Sequence, residues 1–259
     1  MSQTIAVVNQ KGGVGKTTTA INLAAYLTYL GKKVLVIDVD SQGNASSGLG
    51  IDYKNLDNGM YEVLVPGPIN MKNVIISTSL DGLHLAPATP DLAGASVDLV
   101  NLDAREYQLL NNLKEIYDYY DFILIDCPPS LGLLTINALV AADQVLIPVQ
   151  CEYYALEGLG QLINTIELIK DNLNDKLNIL GAVLTMYDKR NRLSEQVFYE
   201  IYKYFPNKIF RTVIPRNVRL AEVPSHGKSI LDYSPKSPGA KAYERLAREI
   251  VTSYNIFKV

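Results

Sequence analysis

Lys11, Lys16 and Thr17 fall within the stretch VVNQKGGVGKTTTA, residues 7–20, among three glycines. Residues of these types at this spacing suit the capture of a polyphosphate. Gly12, Gly13 and Gly15 let successive backbone N–H groups converge on phosphate oxygens without Cβ obstruction. Lys16 is placed for the β- and γ-phosphates and the Thr17 hydroxyl for a magnesium ion. Val14 and Thr18 complete the loop, and the helix predicted from Lys16 onward adds the positive end of its dipole. The stretch departs from the pattern G-x-x-x-x-G-K-[ST], because Gln10 stands where the first glycine belongs. Beside that gap is Lys11, a second lysine that a phosphate loop of the ordinary kind does not need.

Three acids have the positions such chemistry requires. FILID (122–126) ends in Asp126, the expected acid on the magnesium side. VLVIDVDSQGN (34–44) carries Asp38 and Asp40 at alternate positions, which share one face of an extended strand. Both would lie at the carboxyl edge, where parallel sheets bind ligands. One suits the metal shell and the other the orientation of an attacking water.

These side chains need a scaffold, and the apolar pattern predicts one. The runs 4–9, 33–39, 122–127, 144–149 and 178–186 are short and rich in Val, Ile and Leu, as strands buried on both faces are. Helical patterns lie between and after them, over 16–30, 91–117, 131–141, 155–173, 194–204 and 239–255. Strands alternating with helices predict an α/β fold: a doubly wound, mainly parallel sheet with helices on both faces. No repeat or linker breaks the pattern, so residues 1–259 read as a single domain. Residues 41–81 are polar and rich in Gly and Asn, and predict an irregular, mobile excursion beside the site.

Of the 259 residues, 48% are hydrophobic and 20% charged, a globular composition. No apolar run approaches the ~18–20 residues of a membrane span. The N-terminus lacks the pattern of a signal peptide. Two cysteines, Cys127 and Cys151, give no disulfide framework and suit a cytoplasmic compartment. Net charge is −3, but its distribution is uneven. Residues 186–248 hold 13 Lys and Arg against 6 Asp and Glu, a net +7 on a body of net −10. Such a quarter suits a polyanion. Arg190, Arg192, Arg216, Arg219, Lys241 and Arg245 are the candidates for contact with a phosphate backbone, Arg190 and Arg219 foremost.

KGGVGKTT together with VIDVDSQGN and LIDCPPS resembles the ParA/MinD class of deviant Walker A P-loop ATPases. PVQCEYYALEGL (148–159) and IPRNVRLAEVPSHGKSILDY (214–233) extend the likeness to its chromosome-partitioning ParA/Soj branch over nearly the whole chain. The resemblance implies ATP and Mg²⁺, and an ATP-dependent homodimer in which Lys11 crosses to the partner's phosphates. It implies that residues 12–18 bind phosphate, Thr17 ligates Mg²⁺, and Asp38 and Asp126 hold its waters. Lys11, Lys16 and Asp40 would serve hydrolysis, Asp40 by positioning the water. Pro215 and Asn217 would bind adenine, and Glu152 would face the nucleotide across the dimer. Non-specific double-stranded DNA and a ParB-type protein bound at a centromere-like site are the implied partners, and the nucleoid the implied location.

Three relatives within the class predict otherwise. A MinD-like regulator of division would anchor a terminal amphipathic helix in membrane, but the tail here reads more simply as a packed helix, and no membrane partner is expected. A bridging [4Fe–4S] cluster needs two cysteine ligands from each subunit, and Cys127 and Cys151 read instead as buried side chains. The longer plasmid type carries an N-terminal helix-turn-helix domain, which is not expected with the phosphate loop ten residues in.

Overall fold

The apolar runs form strands of one seven-stranded sheet in the computed structural model, which describes residues 2–152, 158–190 and 192–256, the side chains of 192–196 and 255–256 excepted. The strands are β1 (Gln3–Val7), β2 (Val34–Asp38), β3 (Ile76–Ser77), β4 (Leu83–Ala86), β5 (Phe122–Asp126), β6 (Gln144–Gln150) and β7 (Asn178–Thr185). Their order is β3-β4-β2-β5-β1-β6-β7. Every pairing is parallel except β3 with β4 at one edge. This is the doubly wound architecture that the sequence predicts.

Strand alternation divides the core into two layers. Ile5, Val7, Val34, Val36 and Leu124 face the helices Lys16–Tyr29 and Pro238–Ile256. Ala6, Val8, Leu35, Ile37, Ile123 and Ile125 face Leu133–Ala141, Leu159–Asn172 and Arg192–Tyr204. Period-two alternation with both faces covered is why these strands are apolar throughout. The terminal helix spends its apolar stripe inside the molecule, with Tyr243, Leu246, Ala247 and Ile250 all buried. The Tyr243 hydroxyl lies 3.1 Å from Thr19 Oγ1 of the first helix, a buried hydrogen bond between the two.

Register places the chemistry. Asp38 of β2 pairs with Asp126 of β5, and Asp126 pairs with Val7 of β1, so the phosphate loop leaves from the same row as both acids.

Two expectations need correction. The pattern over 91–117 is not one helix but Leu92–Asp98, a 3₁₀ turn at Leu99–Asn101 and Gln108–Leu113. Ala104, at φ 49°, turns the chain between them. Residues 41–81 are not a loose excursion. They hold the short helices Asn44–Gly48, Met60–Leu64 and Met71–Val74, and Met60, Leu64 and Met71 are wholly buried. Helices of four or five residues span little more than one turn, too short to show a 3.6-residue period. The helix in the 155–173 pattern is described from Leu159 to Asn172; residues 153–157 lie outside the described residues.

Candidate functional site

The glycine-rich loop is hung between two strands by side chains. Asn9 donates through Nδ2 to the Pro148 carbonyl of β6 at 2.7 Å, and its Oδ1 accepts from the Lys11 N–H at 3.0 Å. Thr185, last residue of β7, donates to the Val14 carbonyl at 2.8 Å. Gly15 begins the first helix at φ 90°, a left-handed conformation that costs an L side chain ~1–2 kcal/mol. Lys16 is buried and donates to the Lys11 carbonyl at 3.2 Å. Burial lowers its pKa, and Asp126 leads the charges that oppose that shift.

The loop lines a cleft of about 410 Å³ together with Thr17, Thr18, Asn22, Asp40 and Met186. Asp40 keeps its place through the Gln42 N–H, which donates to Oδ1 at 3.0 Å. Asp126 is wholly buried, with both carboxylate oxygens unpartnered by any hydrogen bond among the described residues. Burial, then the Asp38 charge, holds its pKa well above the usual carboxylate range, and the neighbouring Thr17 hydroxyl, which approaches without completing a hydrogen bond, only partly offsets this. Asp38 differs. Its Oδ2 accepts from both Ser46 N and Ser46 Oγ at 2.8 Å, and its Oδ1 accepts from Asp40 N at 3.2 Å. Burial still pushes Asp38 up to about 6. Asp38 is thus engaged with the 40–46 loop, whereas the oxygens of Asp126 accept no hydrogen bond among the described residues.

A second hollow of about 170 Å³ adjoins the cleft through Gly15, Thr18, Met186 and Leu220. Pro215 and Asn217 line it. Asn217 also caps the helix Val218–Glu222, accepting from Leu220 N at 3.3 Å. Glu152 lies 3.8 Å from Lys11 Nζ and 3.4 Å from Arg216. Each of these exposed pairs is worth at most about 1 kcal/mol.

On the other side of the 215–216 segment lies a groove of about 740 Å³, lined by Lys189, Arg190, Arg216, Lys236, Lys241 and Arg245, with Asp188 as its acid. Arg190 pairs with Asp188 at 2.9 Å. Lys189, Lys236, Lys241 and Arg245 make no ion pair among the described residues. Four of the six sequence candidates therefore meet in one groove. Arg219 does not join them: it turns to Glu222 at 2.9 Å, whose carboxylate also accepts from the Tyr233 hydroxyl. The Arg192 side chain lies outside the described residues.

The comparisons with known proteins agree with this geometry. A family model, the AAA domain, matches residues 2–179. The chain is 53% identical over 253 residues to the sporulation initiation inhibitor protein Soj of Bacillus subtilis (strain 168), covering 98% of this chain and 100% of that one. It is likewise 53% identical over 248 residues to the chromosome partitioning protein ParA of Myxococcus xanthus (strain DK1622), over 95% and 87% of the two chains. The chain belongs to the ParA/Soj family of chromosome-partitioning ATPases. Among solved structures, this ParA/Soj member superposes with a TM-score of 0.88 and 37% identity on cobyrinic acid a,c-diamide synthase from Mycobacterium smegmatis with bound ADP and magnesium, over 98% and 96% of the chains. For the Pyrococcus furiosus cell division ATPase MinD the values are 0.80 and 30%, over 97% and 99%.

Sequence reasoning missed Asn9, Thr185 and Ser46, the polar groups that hold the loop and Asp38. Only Asn9 had a local signal, an amide at the end of an apolar strand. It also missed Lys236, an isolated lysine in SPKSPG that only the fold carries to the groove.

Proposed function

We propose that this ParA/Soj ATPase partitions DNA through an ATP-bound homodimer that holds duplex DNA non-specifically, and that a ParB-type partner stimulates the hydrolysis that releases it. One observation carries the reading: Pro215 and Arg216 line both the hollow beside the phosphate loop and the cationic groove. A change in nucleotide state can therefore reach the groove through two adjacent residues.

The residues fit the groups the reading requires. A Cβ built on Gly12 or Gly13 meets nothing within 4 Å, which leaves the loop's N–H groups open to phosphate. Buried carboxylate oxygens without partners, as at Asp126, call for a cation. Thr17 and Asp126 would hold Mg²⁺ directly or through its waters. When bound, Mg²⁺ supplies charge neutralisation to the phosphates. Asp38 fixes the backbone that presents Asp40 and, with one acceptor site of Oδ1 still open, would hold a Mg²⁺-bound water as well. Asp40 orients the water, and Lys16 holds the β- and γ-phosphates. Pro215 and Asn217 receive the adenine.

Lys11 is half-exposed at the rim and tied only weakly to Glu152. In a closed dimer it meets the partner's phosphates, where a cation stabilises the charge that grows at the transition state. Arginines acting in this way raise hydrolysis about 10³–10⁵-fold. Withdrawing Lys11 also releases Glu152 to Arg216 alone, which links dimer closure to the groove. The protein would accordingly associate with the nucleoid. The burial of the terminal helix's apolar stripe weighs against a MinD-like membrane anchor.

Sedimentation velocity tests the dimer. Asp40→Ala should sediment as a dimer with ATP and as a monomer with ADP, and adding Lys11→Ala should abolish the dimer. Monomers in every state would overturn the reading.

A further inference from the structure

Met186 has a backbone conformation that its side chain does not favour. Its φ of 51° lies in the left-handed region, which few residues other than glycine, asparagine and aspartate adopt. The cause is visible on either side. Thr185 is fixed by its hydroxyl on Val14 at 2.8 Å and by its carbonyl, which accepts from Cys151 N at 3.1 Å. Tyr187 is fixed to the 214–216 segment, donating to the Ile214 carbonyl at 3.0 Å and accepting from Arg216 N at 3.1 Å. Residue 186 must therefore absorb the turn between the phosphate loop and the base-side segment. A glycine would do so without strain, yet a methionine stands there. Held strain of this kind clusters at ligand sites.

The turn has a consequence for the cleft. Met186 lines both the phosphate cleft and the 170 Å³ hollow, as do Gly15, Thr18 and Leu220. Gly15 and Thr18 belong to the phosphate loop and its helix, and Leu220 to a wall shared with Pro215. Met186 is thus a long, apolar and polarisable side chain at the passage between phosphates and base. A thioether packs well on an aromatic face and adapts to it. Asn217 spends its Oδ1 on the helix cap, which leaves its Nδ2 to donate to a ring acceptor.

We propose that Met186 is a base-binding residue that packs its thioether against the face of the bound purine and contributes to the affinity for the nucleotide. This rests on the reading of the cleft as the ATP site. It predicts that Met186 contributes to nucleotide binding and little to the hydrolytic step, since it supplies no charge to the phosphates.

The test separates the turn from the contact. Met186→Asn and Met186→Gly suit a left-handed position but remove the thioether, whereas Met186→Leu retains an apolar side chain of similar volume. Equilibrium binding of fluorescent ATP and of inorganic triphosphate is measured on all four proteins, with thermal unfolding and steady-state hydrolysis alongside. Asn and Gly variants should melt no lower than the parent and bind ATP about three- to tenfold more weakly. KM should rise while kcat holds, inorganic triphosphate binding should be unchanged, and Met186→Leu should restore most of the ATP affinity. Folded Asn and Gly variants that bind ATP within twofold of the parent would overturn the assignment. Equal losses for ATP and triphosphate would overturn it too, because they would mark a defect of the loop. A parent chain that binds no ATP would instead overturn the reading of the cleft itself.

Discussion

Removing Lys241 and Arg245 together should change how salt controls DNA binding. Both lie in the groove on the terminal helix, neither lines the nucleotide cleft, and neither has an ion pair among the described residues. Lys189 and Lys236 share that condition, so each protomer offers four cations not engaged elsewhere and a dimer offers eight. Each phosphate neutralised contributes about −0.9 to the slope of log K against log salt. The parent dimer should then show a slope of about −7, and Lys241→Ala/Arg245→Ala, with four cations remaining, about −4. From 50 to 200 mM salt the parent should lose roughly four orders of magnitude in affinity and the variant roughly two. Fluorescence anisotropy with a short labelled duplex, ATP and the Asp40→Ala background reads the slope directly. DNA-free ATP turnover, in chains carrying Asp40, should be unchanged by the pair. A variant whose slope equals the parent's would refute the assignment of the groove.

The acids give further expectations. Asp126→Asn should weaken Mg²⁺ binding by about 10- to 100-fold, measured as the Mg²⁺ dependence of hydrolysis, without lowering metal-free stability. An unchanged Mg²⁺ requirement would count against Asp126. Asp38 has a folded pKa of about 6, above its unfolded value of 3.8. An acid raised by folding holds its proton more tightly when folded, so its contribution to stability falls as pH rises from about 4 through 6. Over that window the parent should lose stability relative to Asp38→Asn, read by urea unfolding without metal or nucleotide. Parallel pH profiles would refute it. Gly50, at φ 81°, would place a Cβ 2.8 Å from the Gly227 carbonyl oxygen. Gly50→Ala should therefore cost at least about 2 kcal/mol by denaturant unfolding, and a near-neutral result would mean the two loops part easily.

What was legible in the sequence was local. Strands buried on both faces leave continuous Val, Ile and Leu runs, so five of the seven were readable; β3 and β4, with two and four residues, gave too little pattern. The phosphate loop is contiguous, and Asp38, Asp40 and Asp126 were readable as strand-end acids. The engagement of Asp38 with Ser46 was not, because it joins residues eight apart across an irregular turn. The groove needed the fold, which brings Lys236 to Lys189 and Arg190 from separate parts of the chain. Arg219 is an exception in the other direction. Its partner Glu222 stands three residues on in a helix, a spacing at which opposite charges pair.

In the proposed cycle ATP, acting through a dimer closed by Lys11, turns the groove into a DNA-binding surface. Gel-shift titration of Asp40→Ala on non-specific duplex DNA, with ATP and with ADP, tests it most directly when Asp40→Ala/Lys11→Ala runs beside it. Binding should be salt-sensitive, confined to ATP, and lost in the Lys11 variant. Equal binding with ATP and ADP, or binding that survives Lys11→Ala, would contradict it.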